Sequence, residues 1–217
     1  MSEVINPTKK RKRSKKFENL VGPTDPKIDA QARERLVSAR IGLLLRHSFF
    51  GNLATRMKLV NADEWCSTAA TDGLKFYYNS RFIMMLKPKE VEFLVGHEVL
   101  HVVYDHMGRR GDRDPQIWNI ADDYCVNADL KRHKVGQFIT TVPCLYESKY
   151  DGKPAEEVYD DLMKNVEKIS IDDLVDQMID DHLDGEGEDG EEGKGDKEGK
   201  GRPKMSPEER ELSLIHI

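Results

Sequence analysis

The sequence predicts an α+β domain in which a small antiparallel or mixed sheet packs on helices. Three observations carry that expectation. Ala32, Leu36, Ala39 and Leu43 recur at spacings of three and four, the signature of one helix face turned to a core. Asp72-Gly73 stands between two apolar runs, 65–71 and 74–78, as a hairpin turn would. Residues 89–105 hold Val91, Leu94, Val95, Val99, Val102 and Val103 on more than one face, so this helix is expected to be well buried.

The elements follow in order. The first helix begins near Ile28 and stops around Phe49-Phe50-Gly51-Asn52. Residues 53–60 are mixed and read as strand or helix. The 65–71 run leads into Asp72-Gly73, where a type I′ turn needs positive φ at both central residues, and then into the strand 74–78. Residues 81–86 suit a short helix. Pro88 suits the first turn of the next one, where its missing N–H costs nothing. Gly108 and Gly111 are expected to end that helix. Asp114-Pro115 reads as an N-cap with a first-turn proline, opening a helix to about Leu130. Residues 135–150 look irregular, 154–165 helical, and 171–183 a further helix.

Length and charge frame this domain. The chain has 217 residues and a formal net charge of −6, which fits one or two domains. Residues 1–17 carry seven Lys or Arg against Glu3, a balance of +6; residues 180–201 carry ten acids against three lysines, a balance of −7; the body holds the remaining −5. We therefore divide the chain into a basic, disordered tail at 1–27, a folded domain at 28–180, and an acidic, Gly-rich linker with a truncated C-terminus at 181–217. The closing Leu212-Ser213-Leu214-Ile215-His216-Ile217 is apolar with nothing to pack on, which removes His216 from the ligand candidates. No apolar run approaches the roughly 18 residues of a membrane span. The basic start has no apolar stretch behind it and is no secretory signal. Cys66, Cys125 and Cys144 are odd in number and widely spaced, fitting neither a disulfide framework nor a Cys-based zinc site; a reducing cytoplasm is the expected compartment.

The chemistry lies in His97-Glu98-Val99-Leu100-His101 on the buried helix. Histidines four apart are about 40° apart around a helix, so both imidazoles face one ion. Glu98 sits about 100° from His97, where a zinc hydrolase keeps the carboxylate that takes a proton from the attacking water. A bland reading, two hydrogen-bonded histidines in a core, leaves costly polar groups buried without a ligand. Such a centre needs a third protein ligand. Asn119, Asp123 and Asn127, four apart, form a polar stripe on the next helix, and Asp123 is the first candidate. His106 is the alternative third ligand. It would point about 140° from His101 unless the chain turned just before it, and Gly108 comes too late to ease that turn; it could instead cap the helix end. Asp122 is expected to face solvent or the helix start. With no cysteine pair available, histidine and carboxylate are the ligand types left.

These residues together carry a resemblance. His97-Glu98-x-x-His101-x-x-x-x-His106, Arg109 and Trp118-Asn119-Ile120-Ala121-x-Asp123-x-x-x-Asn127 resemble the metallopeptidase domain often found ahead of a von Willebrand factor A-like domain, in bacteria and phages. Phe49-Phe50-Gly51, Thr68-Ala69-Ala70-Thr71-Asp72-Gly73 and Tyr78-Asn79 are similar to its upstream motifs, and the resemblance covers roughly residues 30–165. Asp122 stands where that family tends to have Ala, which points to Asp123 as the functional acid. The resemblance implies a zincin-like fold, Zn2+ as cofactor and a polypeptide substrate. It also implies a C-terminal von Willebrand factor A-like domain and an AAA-type ATPase as partners, and the cytoplasm of a bacterial host if the chain is phage-encoded. It further suggests the strand 74–78 as the edge that aligns substrate beside the metal helix.

The expected function is zinc-dependent peptide hydrolysis, with His97, His101 and Asp123 on the metal and Glu98 as general base. A metal-binding scaffold without proteolytic activity is the alternative. Tyr124 and His133 are candidate oxyanion donors. Arg109 is expected to pair with a site carboxylate or bind a substrate carboxylate. Lys9-Lys10-Arg11-Lys12-Arg13-Ser14-Lys15-Lys16 suits nucleic-acid phosphates, but no aromatic residues are interleaved and the body is acidic, so a solvated tail is favoured. Trp65, Phe76, Tyr77 and Tyr78 are read as sheet and core residues.

Overall fold

The computed structural model describes residues 15–165 and 170–179. The first 14 residues of the expected tail and all of the expected linker, with the chain's apolar end, lie outside the described residues.

The first long helix, α1 (Pro26–Arg46), starts where Asp25 accepts hydrogen bonds from the backbone N–H groups of Lys27 and Ile28 at 2.8 and 3.3 Å. Ala32, Leu36, Ala39 and Leu43 are buried along it, as their spacing predicts, while Ile41 and Leu45 on the other side are exposed. The ambiguous stretch resolves into both alternatives: helix α2 (Ser48–Arg56), then strand β1 (Lys58–Asn61). Gly51 permits the tight join, because a Cβ there would strike the α1 backbone at Leu43 and Leu44. Ahead of α1, a 3-10 turn (Lys15–Leu20) carries Phe17 into the core, edge-on to Phe82 at 5.5 Å. The lysine-rich composition around it hid this apolar anchor.

Strands β2 (Ala69–Thr71) and β3 (Lys75–Tyr78) form the expected antiparallel hairpin, and β1 adds to β3 in parallel, giving a mixed sheet ordered β1-β3-β2. The turn differs from expectation. Only Gly73 has positive φ (88°), and the Asp72 side chain accepts from Leu74 N and Lys75 N at 2.9 and 2.6 Å. A three-residue loop braced by an Asp carboxylate replaces the type I′ turn. Period-two alternation sends Phe76 and Tyr78 into the main core and Tyr77 to the opposite face, where it meets Trp65. Because β3 is paired on both sides, it is no edge strand; the strand beside the metal-helix candidate is β2. The sequence shows strand runs but not their spatial order.

Helix α3 (Ser80–Met85) is capped by Asn79, whose Oδ1 accepts from Phe82 N at 3.0 Å. Helix α4 (Pro88–Val103) then runs through the core with contacts to α1, α2 and the following α6 (Pro115–Arg132). Asp114 caps α6 by accepting from Gln116 N and Ile117 N at 3.0 and 2.9 Å. Glu90, fully buried at the start of α4, gathers the irregular segment after α6. It accepts from Thr140 N, Thr140 Oγ1, Thr141 N and Thr141 Oγ1 at 2.5–3.2 Å, and from Lys87 N at 3.0 Å. Between α4 and α6 lies a single turn, α5 (His106–Arg109). Helix α7 (Ala155–Lys164) packs on α6 as a second layer. The last described helix, α8 (Ile171–Val175), stops short of the predicted 183; clustered acids at a helix C-terminus oppose its dipole. Among the described residues, no helix is long and apolar enough to cross a membrane.

Candidate metal centre

Helix α4 delivers the motif by being covered on all sides. His97 and Glu98 are 0% exposed and His101 is 3% exposed. Gly96, costly in a helix interior, has a packing reason. A Cβ there would stand 3.1 Å from Leu130 of α6 and 3.2 Å from Val135, so the missing side chain lets α6 close on α4.

That closure sets the α6 polar stripe against the histidines. Asp123 Oδ1 lies 3.5 Å from His97 Nε2 and 3.5 Å from His101 Nε2, and the two Nε2 atoms are 2.9 Å apart. All three side chains are buried, and their donor atoms lie within 4.8 Å of one another, a grouping able to hold a metal ion. Asn119, the third member of the stripe, is only half-buried. Glu98 lies fully buried beside His97 in the sequence, on the same helix.

Asn127 has a definable job. Its Nδ2 donates to Leu145 O at 3.0 Å, which turns its Oδ1 toward His97 Nδ1 at 2.9 Å. An acceptor there requires the His97 proton on Nδ1 and leaves Nε2 with its lone pair toward Asp123 and His101. The stripe marked Asn127 as a polar residue in a core, but not this partner, because Leu145 is brought to it by an irregular segment.

His106 sits on the other side of His101. Its Nδ1 is 3.1 Å from His101 Nδ1 and 3.6 Å from Asp122 Oδ1. The chain does turn just before it, contrary to the sequence argument. Asp105 takes the left-handed conformation (φ 51°) and stops α4 at Val103. Gly108 assists, since a Cβ there would fall 2.5–2.8 Å from the Asp105 carboxylate. Asp122, expected to face solvent or the helix start, is 1% exposed. These atoms form a second buried grouping, His101, His106 and Asp122.

Other candidates are engaged elsewhere. Arg109 binds Glu156 of α7 through Nη2 at 2.6 and 2.8 Å and donates to Tyr104 O at 2.8 Å; the Glu156 carboxylate raises its pKa. Its direct carboxylate partner is thus Glu156, while the buried Asp122 acts on it through charge alone. Tyr124 OH points to Glu147 at 3.4 Å within the α6–α7 cluster. His133 lies exposed at the α6 C-terminus, about 15 Å along the helix from Asp123 at 1.5 Å per residue. Burial pushes the Cys125 thiol up to about 12, which keeps it protonated at neutral pH.

With this geometry in place, the family comparison becomes informative. The family model described as a putative metallopeptidase domain matches residues 31–213. The chain belongs to that family. No curated protein and no solved structure matches it. The family match spans α4, α5 and α6 entirely and continues past residue 180, through the stretch that composition marks as an acidic linker.

Proposed function

We propose that the chain is a zinc-dependent metallopeptidase that holds one ion on His97, His101 and Asp123, uses Glu98 as general base, and acts on polypeptide substrates. The observation that carries this reading is the convergence, 2.9–3.5 Å apart, of two imidazole Nε2 atoms from the helix that bears Glu98 and one carboxylate oxygen from α6. The donor set fits zinc. Bonds of about 2.0–2.1 Å in a tetrahedron put ligand atoms roughly 3.3 Å apart, close to the spacings here.

Zinc bound at this set supplies a Lewis acid for the scissile carbonyl and makes water acidic enough to deprotonate near neutral pH. Glu98 accepts the proton of the attacking water and returns it to the leaving amine. His97 presents Nε2 because Asn127 holds the proton on Nδ1. Burial strengthens each of these electrostatic interactions. All four groups are at most 3% exposed.

The second reading, a metal-binding scaffold, retains zinc and lacks hydrolysis. Glu98 speaks for the enzyme, because a scaffold gains nothing from a buried carboxylate on its metal helix. The test is cleavage of an unfolded polypeptide by zinc-loaded protein, read by mass spectrometry beside metal content. Glu98→Gln should keep zinc and lose cleavage. Zinc retention without cleavage in the wild type would favour the scaffold.

A further inference from the structure

We infer that His106 and Asp122 are positioning residues that hold His101 for the metal from behind, as Asn127 holds His97. The inference rests on the proposed zinc site and adds a role that site does not need by definition. To offer its Nε2 lone pair, neutral His101 must carry its proton on Nδ1. His106 Nδ1 lies 3.1 Å from that atom, within hydrogen-bond distance. His106 therefore accepts, which places its own proton on Nε2. Asp122 Oδ1, 3.6 Å from the same His106 atom, adds a buried negative charge on the side of His101 away from Asp123. That charge offsets the ion's charge across the ring, in surroundings where screening is weak.

Local structure is arranged to keep His106 there. Asp105 adopts a left-handed conformation that non-glycine residues reach only at a cost. Trp118 of α6 donates from Nε1 to the His106 carbonyl at 2.9 Å. His106 itself is 2% exposed. A histidine serving only as a helix cap would need neither the strained turn nor the burial.

The two histidine ligands thus have different backing. His97 rests on a neutral amide fixed by a backbone carbonyl; His101 rests on an imidazole nitrogen that has a carboxylate beside it. Outer partners of this kind are worth about 10–100-fold in metal affinity.

The test is zinc affinity of the full chain by chelator competition, with metal stoichiometry, the visible spectrum of the cobalt-substituted form, and apo-protein thermal unfolding as the folding control. His106→Leu and Asp122→Asn should each weaken zinc about 10–100-fold, keep one ion per chain and shift the cobalt bands. His106→Gln, whose Oε1 still accepts from His101 Nδ1–H, should restore most of the affinity. If His106→Leu fails to fold, the nearly isosteric Asp122→Asn with His106→Gln carries the test. Wild-type affinity in both His106→Leu and Asp122→Asn would overturn the inference. So would two ions per wild-type chain falling to one in His106→Leu, which would make the cluster a second metal site. Hydrolysis is read separately: a chain with this affinity pattern but no cleavage refutes the peptidase and leaves the positioning pair standing.

Discussion

Asn127 illustrates how one neutral side chain sets the chemistry of a buried histidine. Its amide has a single orientation compatible with both neighbours, because Leu145 O can only accept. Asn127→Leu is expected to keep the helix but release the His97 tautomer. Zinc affinity should fall about 10–100-fold in chelator competition. The polar stripe made this residue visible in the sequence, as it did Asp123. Asp122 was not legible, because helix spacing places it about 100° from Asp123 and says nothing of a histidine arriving from a separate turn. Asp105 was hidden for a related reason: sequence rules assign left-handed turns to glycine, and here the glycine sits at 108 to clear space instead. Asp105→Gly should therefore be tolerated, within about 1 kcal/mol in urea denaturation, whereas Asp105→Val should cost about 1–3 kcal/mol.

Helix packing decides whether these residues meet. The cluster of His97, His101 and Asp123 forms because α6 approaches α4 over Gly96, bringing Leu130 and Val135 to where a side chain would stand. Gly96→Val should wedge the helices apart, costing about 1–3 kcal/mol. It should also weaken zinc by separating Asp123 from the α4 histidines; unfolding and chelator competition read the two effects independently. Loss of stability with unchanged zinc affinity would mean the two helices are held in register elsewhere. Most helices were legible from periodicity, caps and first-turn prolines, since these are local signals: Asp114-Pro115 opens α6 as read. The sheet was legible only in part. The Asp72-Gly73 hairpin is local, but the parallel addition of β1, which makes β3 central, is a distant pairing braced from α1, where Arg33 reaches Leu59 O and Asp29 accepts from Asn61 and Tyr78. The substrate-edge assignment failed on that non-local fact.

At the scale of the molecule, the fold is fastened to α4 by buried polar groups as well as by apolar packing. Burial alone would raise the Glu90 carboxyl, but hydrogen bonds from Thr141, Lys87 and Thr140 more than offset it and hold the pKa at about 2. Its folded value lies below an unfolded value of about 4.3. The stabilisation, about 3 kcal/mol, is thus complete above pH ~4.3 and is lost as pH falls toward 2. Urea denaturation between pH 5 and 2.5 should show this loss, and Glu90→Gln should flatten it. The net charge of −6 is a poor guide to such a molecule, because the decisive acids, Glu90, Glu98, Asp122 and Asp123, are all buried. The central claim, one ion on His97, His101 and Asp123, is tested most directly by X-ray absorption at the zinc edge of the zinc-loaded chain. The expected shell contains two imidazoles with oxygen ligands completing it at about 2.0–2.2 Å. A shell with three imidazoles would put His106 on the metal and contradict the account.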